Sequence, residues 1–276
     1  MAETGRIPED KMPFTSHLGE LRKRVMVSFI AVLVLFVAAF HFSEDIFNIL
    51  TLPMHADIKF ISTSPFFTFV EKAGATKELV FLAPAEALWV YLKIALIAAI
   101  ILASPIIFLQ FWKFISPGLV EREKKYAIPF ILSASGLFVF GALFCFAIVL
   151  PFAMKFLLNY RTESLVPMIS VERYADFCLK FILAFGVIFE LPLIIIFLTR
   201  MGIVTPQTLA KNRKYAVLLA FVAAAILTPT PDAFNQTLMA LPIIVLYEGG
   251  LIASRIILRG KKHDNDKGKK PEIGGV

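Results

Sequence analysis

Few residues in this chain are equipped for catalysis or cross-linking. Of its 276 residues, two are cysteines and four are histidines. A pair of cysteines, Cys145 and Cys178, excludes a disulfide framework and a cysteine-rich metal centre. Both lie in or beside apolar segments and are expected as buried thiols. His17, His41, His55 and His263 lie at or beyond the ends of the apolar runs. No HExxH, no GxSxG and no phosphate-binding glycine loop is present, which removes the common metallohydrolase, serine-hydrolase and nucleotide-binding readings. Charge is scarce, at 18% of residues. The amino-terminal MAETGRIPEDKMPFTSH has no apolar h-region, so no cleavable signal peptide is expected, and its mixture of acids and bases is unlike a transit peptide.

What is abundant is apolar. Hydrophobic residues make up 58% of the chain and 28 are Phe, with a mean hydropathy of +0.77. Six apolar segments stand out, at about 25–42, 88–111, 127–152, 177–198, 215–228 and 234–253. A spanning helix needs about 20 residues for a hydrocarbon core of about 30 Å, and the first four meet this. The fifth has room for only about 21 Å of helix before Pro229 and Pro231, which cannot continue it. We read segments five and six as a short spanning hairpin that thins the bilayer or is sheltered by its neighbours.

The net charge of +7 does not indicate nucleic acid, because the bases sit at segment edges. On one set of tails and loops 20 Lys and Arg collect, against 6 on the other. That asymmetry predicts both termini and the loops after the second and fourth spans in the cytoplasm. The loop at about 43–87, with the apolar runs SPFFTF and VFLAP, is expected to form a structured cap on the opposite side. Residues 1–259 are read as a single membrane domain and 260–276 as a disordered tail.

Within the spans one residue is costly. Glu190, in FILAFGVIFELPLIIIF, lies about 10 residues from Lys180 and Arg200, the nearest ionisable side chains. A carboxylate at membrane depth costs ~2.5–3.5 kcal/mol on insertion scales, so it is expected to face protein or a water-filled cavity. Such a group suits a proton or cation site, so a secondary transporter is an alternative reading. Transporters of that kind usually carry internal repeats with paired broken helices, and no convincing repeat is found.

Two acidic motifs sit at the basic edge. HLGELRKR (His17 to Arg24) precedes the first span and FWKFISPGLVEREKK (Phe111 to Lys125) follows the second. Glu20 stands four residues before Arg24, and Glu121 four before Lys125; such helix pairs contribute ~0.2–0.5 kcal/mol each. Local pairing and recognition of an incoming cation both remain open at these acids.

These motifs resemble the TatC family, the multispanning receptors of the twin-arginine protein translocase, over about Pro13 to Ile257. HLGELRKR is similar to the family's H-L-x-E-L-R motif, and LAPAEALWVYLK to its P-x-E…LK entry to the second span. SPIIFLQFWKFISPGLVEREKK is similar to the block that follows. FGVIFELP carries the membrane glutamate, and LTPTPDAFNQTLMALPIIVLYE resembles the last hairpin. The resemblance implies an all-α membrane protein of six transmembrane helices in a cup-shaped, concave bundle, with both termini inside and short fifth and sixth helices. It implies a receptor rather than an enzyme, located in the prokaryotic inner membrane, without a cofactor and driven by the protonmotive force. It places the paired arginines of a signal peptide on Glu20 and Glu123, the apolar part of that site on Phe114 and Leu119, and supporting roles on Arg22 and Pro117. Glu121 rivals Glu123 by spacing, and only the motif register prefers Glu123. Glu190 is implied on the concave face. Gln236, Thr237 and Asp232 are implied near the contact with single-span TatA and TatB partners, although Asp232 also suits a helix cap. Further implied partners are anionic lipid, through Arg22, Lys23 and Arg24, and other copies of the chain.

Overall fold

A computed structural model describes residues 14–60, 67–71, 79–116, 127–159, 168–228 and 232–268. The described chain is mostly helical. In order it contains α1 (Phe14–His41), α2 (Ser43–His55), β1 (Ala56–Phe60), β2 (Phe67–Glu71), β3 (Leu79–Val80) and α3 (Glu86–Ile115). After these come α4 (Ala127–Phe144), a π-helical turn (Cys145–Val149), α5 (Leu150–Asn159), β4 (Ile169–Ser170) and α6 (Val171–Ile188). The chain ends with α7 (Leu191–Arg200), α8 (Pro206–Lys211), α9 (Arg213–Leu227) and α10 (Ala233–Gly268).

Among the described residues five helical stretches are long and apolar enough to cross a membrane: Leu18–His41, Glu86–Ile115, Ala127–Leu158, Val171–Arg200 and Ala233–Leu258. The chain is a multipass membrane protein. The fifth apolar segment is, as expected, short: α9 has 15 residues, about 22 Å of helix. The expectation of a short sixth helix is corrected. Its apolar part runs for 26 residues, and the backbone stays helical to Gly268. Gly249 and Gly250 do not end it, because Gly250 is packed against α7: a Cβ there would fall 2.8 Å from Pro192 Cα. The division expected after Arg259 therefore lies within a continuous helix.

Two spans are interrupted, each beside a proline. In the third, Pro151 follows a π-turn in which the Leu150 amide reaches back to Cys145 O. A widened turn removes the carbonyl clash and the missing N–H of proline from the regular ladder. In the fourth, Pro192 cannot donate to Ile188, and the helix breaks at Phe189–Glu190. The Glu190 amide bonds to Val187 O at 3.1 Å, and Ile194 N returns to Glu190 O at 2.9 Å. That span closes with Gly202 at φ 75°, where the Ile203 amide bonds to Leu198 O at 3.1 Å. This is a helix stop that glycine adopts without steric cost.

The core centres on α6, which packs against α3 and α4. Phe177, Phe181, Phe185 and Phe189 follow one another at i, i+4 spacing, with ring centroids 4.5, 6.5 and 6.5 Å apart, and Phe181 and Phe185 are fully buried. Cys145 and Cys178 are free and buried, as expected. Helix α1 lies along α3, with Ala39 seated against Ala95 and Ala99. Small side chains at this seam permit close backbone approach, the usual device where no hydrophobic effect drives helices together. In the loop expected as a cap, β1 and β2 form an antiparallel hairpin, with Ala56 opposite Glu71. Strand β3 pairs in parallel with β4, with Leu79 opposite Ile169. Tyr174 OH donates to Leu50 O at 2.8 Å and so ties α2 to α6.

Candidate functional site

At the basic edge, Glu20 and Arg22 lie in the first turns of α1. Glu20 accepts from Arg24 Nη2 at 2.9 Å, with the side chains 21% and 26% exposed. This is the i, i+4 pair anticipated above. Arg22 is exposed and Phe114 half-buried near the end of α3. Near the far end of α1, Ala39 packs with Ala95 and Ala99 of α3. Pro117, Leu119, Glu121 and Glu123 lie outside the described residues.

Glu190 sits at a helix break rather than inside a continuous helix. Its side chain is 7% exposed, and among the described residues its Oε1 has no hydrogen-bond partner. The carboxylate borders a cavity of about 550 Å³, walled otherwise by apolar side chains of α3, α4, α6 and α7 and by Ser104. Ser104 Oγ and, on the same helix, Gln110 Oε1 are likewise buried without a partner. Of these, the Glu190 carboxylate and the Ser104 hydroxyl both line the cavity, and unmet buried polar groups cost roughly 1–3 kcal/mol each.

The last hairpin is held from within. Gln236 Nε2 donates to Phe221 O at 3.1 Å, joining α10 to α9, while Thr237 is exposed. Asp232 caps α10: its Oδ1 accepts from Asn235 N at 2.7 Å and its Oδ2 from Asn235 Nδ2 at 2.9 Å. Arg213 Nη2 reaches Glu248 at 2.7 Å, so α10 is also fastened at the other end of α9.

Sequence reasoning missed one charged constellation. Lys93 Nζ lies 2.7 Å from Glu172 Oε1 and 2.8 Å from Asp176 Oδ1, linking α3 to α6. Nearby, Glu86 is buried and accepts from Leu82 N at 2.9 Å and Ser170 Oγ at 3.2 Å. The signal was the placement of one base and two acids at corresponding depths of adjacent apolar runs. It is visible only once α3 and α6 are known to be neighbours.

A mostly helical bundle with several apolar spans, one of them broken at a carboxylate that borders an apolar cavity, defines the class as a multipass membrane protein. The family model described as "Sec-independent protein translocase protein (TatC)" matches residues 16–242, and the chain belongs to this TatC family. It is 41% identical over 268 residues to a Sec-independent protein translocase protein TatC of Desulforapulum autotrophicum, covering 97% of this chain and 93% of the relative. It is 41% identical over 253 residues to the protein of that name from Aquifex aeolicus, covering 91% and 98%. Among solved structures, a twin arginine translocase receptor TatC crystallised in DDM superposes with a TM-score of 0.73 at 40% identity, covering 86% of this chain and 99% of that one. The family is a protein translocase component, and these likenesses do not favour the ion-transporter alternative.

Proposed function

We propose that this chain is the receptor subunit of a twin-arginine translocase. It binds the paired arginines of signal peptides on folded cargo, and assembles with TatA- and TatB-type single-span partners and with further copies of itself. In this reading six helices span the inner membrane, α9 among them, with both termini cytoplasmic and export driven by the protonmotive force. Glu20 and Glu123 accept the two guanidiniums, Phe114 and Leu119 flank them, and Arg22 and Pro117 shape the loop. Anionic lipid holds the Arg22–Arg24 edge. Gln236, Thr237 and Asp232 lie near the partner contact, where the bonds of Gln236 and Asp232 give them a shaping role and leave Thr237 facing outward.

The observation that supports the proposal is Glu20, a half-shielded carboxylate at the basic edge, bonded to Arg24. Its bond to Arg24 is a local helix pair of ~0.2–0.5 kcal/mol, weak enough for a peptide guanidinium to displace. Bidentate arginine–carboxylate geometry then separates twin arginine from twin lysine. Photo-crosslinking probes at positions 20 and 123 test it. They capture a twin-arginine peptide and not its twin-lysine variant, and Glu20→Ala with Glu123→Ala abolishes capture while the protein remains inserted. Equal capture of both peptides sinks the proposal.

A further inference from the structure

The two polar groups of the Glu190 cavity occupy corresponding positions in spans of equal length, 30 residues each. Ser104 is 11 residues from Ile115 and Glu190 is 10 from Arg200, the ends of their spans. Either distance is about 15 Å of helix, which places both groups near the middle of a hydrocarbon layer of about 30 Å. Glu190 is 7% exposed and Ser104 2%, and neither Glu190 Oε1 nor Ser104 Oγ has a hydrogen-bond partner among the described residues. A serine or threonine inside a helix commonly returns its hydroxyl to a carbonyl one turn back. Ser135 does so to Ile131 O and Thr199 to Ile195 O, both at 2.8 Å. Ser104 does not, so its hydroxyl is unused at the cavity wall. Much of the remaining wall is aromatic. Phe108 and Phe138 meet edge to face at 6.1 Å, Phe130 and Phe197 lie 5.8 Å apart, and all four line the cavity.

We propose that this cavity binds a lipophilic primary amine, its nitrogen between Glu190 and Ser104 and its apolar body against the phenylalanines. The polar chemistry is complementary. A carboxyl group and a hydroxyl oxygen, both without partners, accept the N–H donors of one nitrogen, and a bond between ionised partners is roughly twice as strong as one between neutral partners. Acid and amine together carry no net charge, with the shared proton on either partner. The ligand therefore enters the bilayer as the free base and leaves no uncompensated ion at membrane depth, where a lone charge is costly. The walls suit the rest of the molecule, since aromatic faces attract an ammonium as well as an apolar body. The volume of about 550 Å³ lies within the range of small-molecule sites, roughly 300–1,000 Å³. The inference rests on the cavity and its two polar groups. It does not rest on the receptor reading, so a chain that fails to tell twin arginine from twin lysine still retains the amine.

Photolabelling of the purified full chain in a non-ionic detergent tests it, with a diazirine-bearing benzylamine as the probe and peptide mass spectrometry as the readout. Labelling concentrates on peptides that contain Phe108, Phe138 or Phe197. Phenylbutylamine suppresses it at a concentration about fivefold or more below that of phenylbutanol, which has the same skeleton and a hydroxyl in place of the amine. This comparison on the unaltered protein needs no mutation. Glu190→Gln keeps the size of the side chain but cannot exchange a proton with the amine, and it brings the two concentrations to within about twofold. Ser104→Ala raises the concentration of amine required by about threefold. Equal suppression by amine and alcohol in the wild type is the result expected if a cation of the chain itself already holds Glu190, and it overturns the proposal. An amine preference that survives in Glu190→Gln, or labelling spread evenly over the exposed apolar residues of α1, overturns it as well.

Discussion

Replacing Lys93 with Met leaves Glu172 and Asp176 facing one another inside the bundle without the cation that both now touch, at 2.7 and 2.8 Å. Lys93 is seven residues into α3, about 10 Å from its start, so the pair is only partly hydrated. Removing one member of a fully buried ion network costs about 3–5 kcal/mol. The three side chains here are 34%, 37% and 34% exposed, and discounting for that solvation leaves about 1–3 kcal/mol. At roughly 2–4 °C per kcal/mol for a chain of this size, Lys93→Met lowers the melting temperature of the detergent-purified protein by about 2–12 °C. The triple change Lys93→Met, Glu172→Gln, Asp176→Asn removes the stranded charges and recovers most of the loss. A melting temperature that moves by less than a degree in the single variant, or no recovery in the triple, refutes the view that this triad fastens α3 to α6.

Gly141→Ala and Gly250→Ala each overpack a helix contact, because the new Cβ falls 2.6 Å from Phe185 O and 2.8 Å from Pro192 Cα respectively; each costs about 1–3 kcal/mol in a denaturation series. Gly249→Ala meets no atom within 4 Å and is neutral or stabilising by up to ~1 kcal/mol, so the adjacent glycines behave in opposite ways. Asp232→Ala loses the cap on Asn235 and lowers stability by about 0.5–2 kcal/mol, seen as faster amide exchange in the first turn of α10. Glu190→Leu relieves a buried carboxylate oxygen that has no partner among the described residues and raises the melting temperature of the isolated chain. A destabilised Glu190→Leu protein shows that the carboxylate is satisfied in the resting state.

Hydropathy alone located the apolar segments, because the bilayer demands long apolar helices and the chain supplies them. The shortness of α9 was also legible from Pro229 and Pro231. The extent of α10 was not, since Ala253 ends the apolar run but nothing there breaks a helix, and the basic residues that follow suit a helix C-terminus. The break at Glu190 went unread for a related reason. FILAFGVIFELPLIIIF has no polar gap, and only the missing amide of Pro192 marks the interruption. Glu20 and Glu190 were legible as isolated acids in basic or apolar settings. Lys93, Glu172 and Asp176 were not, because each alone resembles an ordinary flanking charge and their pairing spans 79 and 83 residues of sequence. Of the two readings of Asp232 the cap is present, its two oxygens meeting the backbone and side chain of Asn235, and the partner contact stands as a proposal beside it.

The most direct test of the central claim is the affinity of the purified full chain for a twin-arginine signal peptide, measured beside its twin-lysine variant in the wild type and in Glu20→Ala. In a shielded site the loss of one carboxylate costs about 2–5 kcal/mol. The account predicts that the twin-arginine peptide binds at least tenfold more tightly than twin lysine, about 1.4 kcal/mol, and that Glu20→Ala erases most of this difference. Equal affinities for the two peptides, or a difference that survives in Glu20→Ala, contradict it.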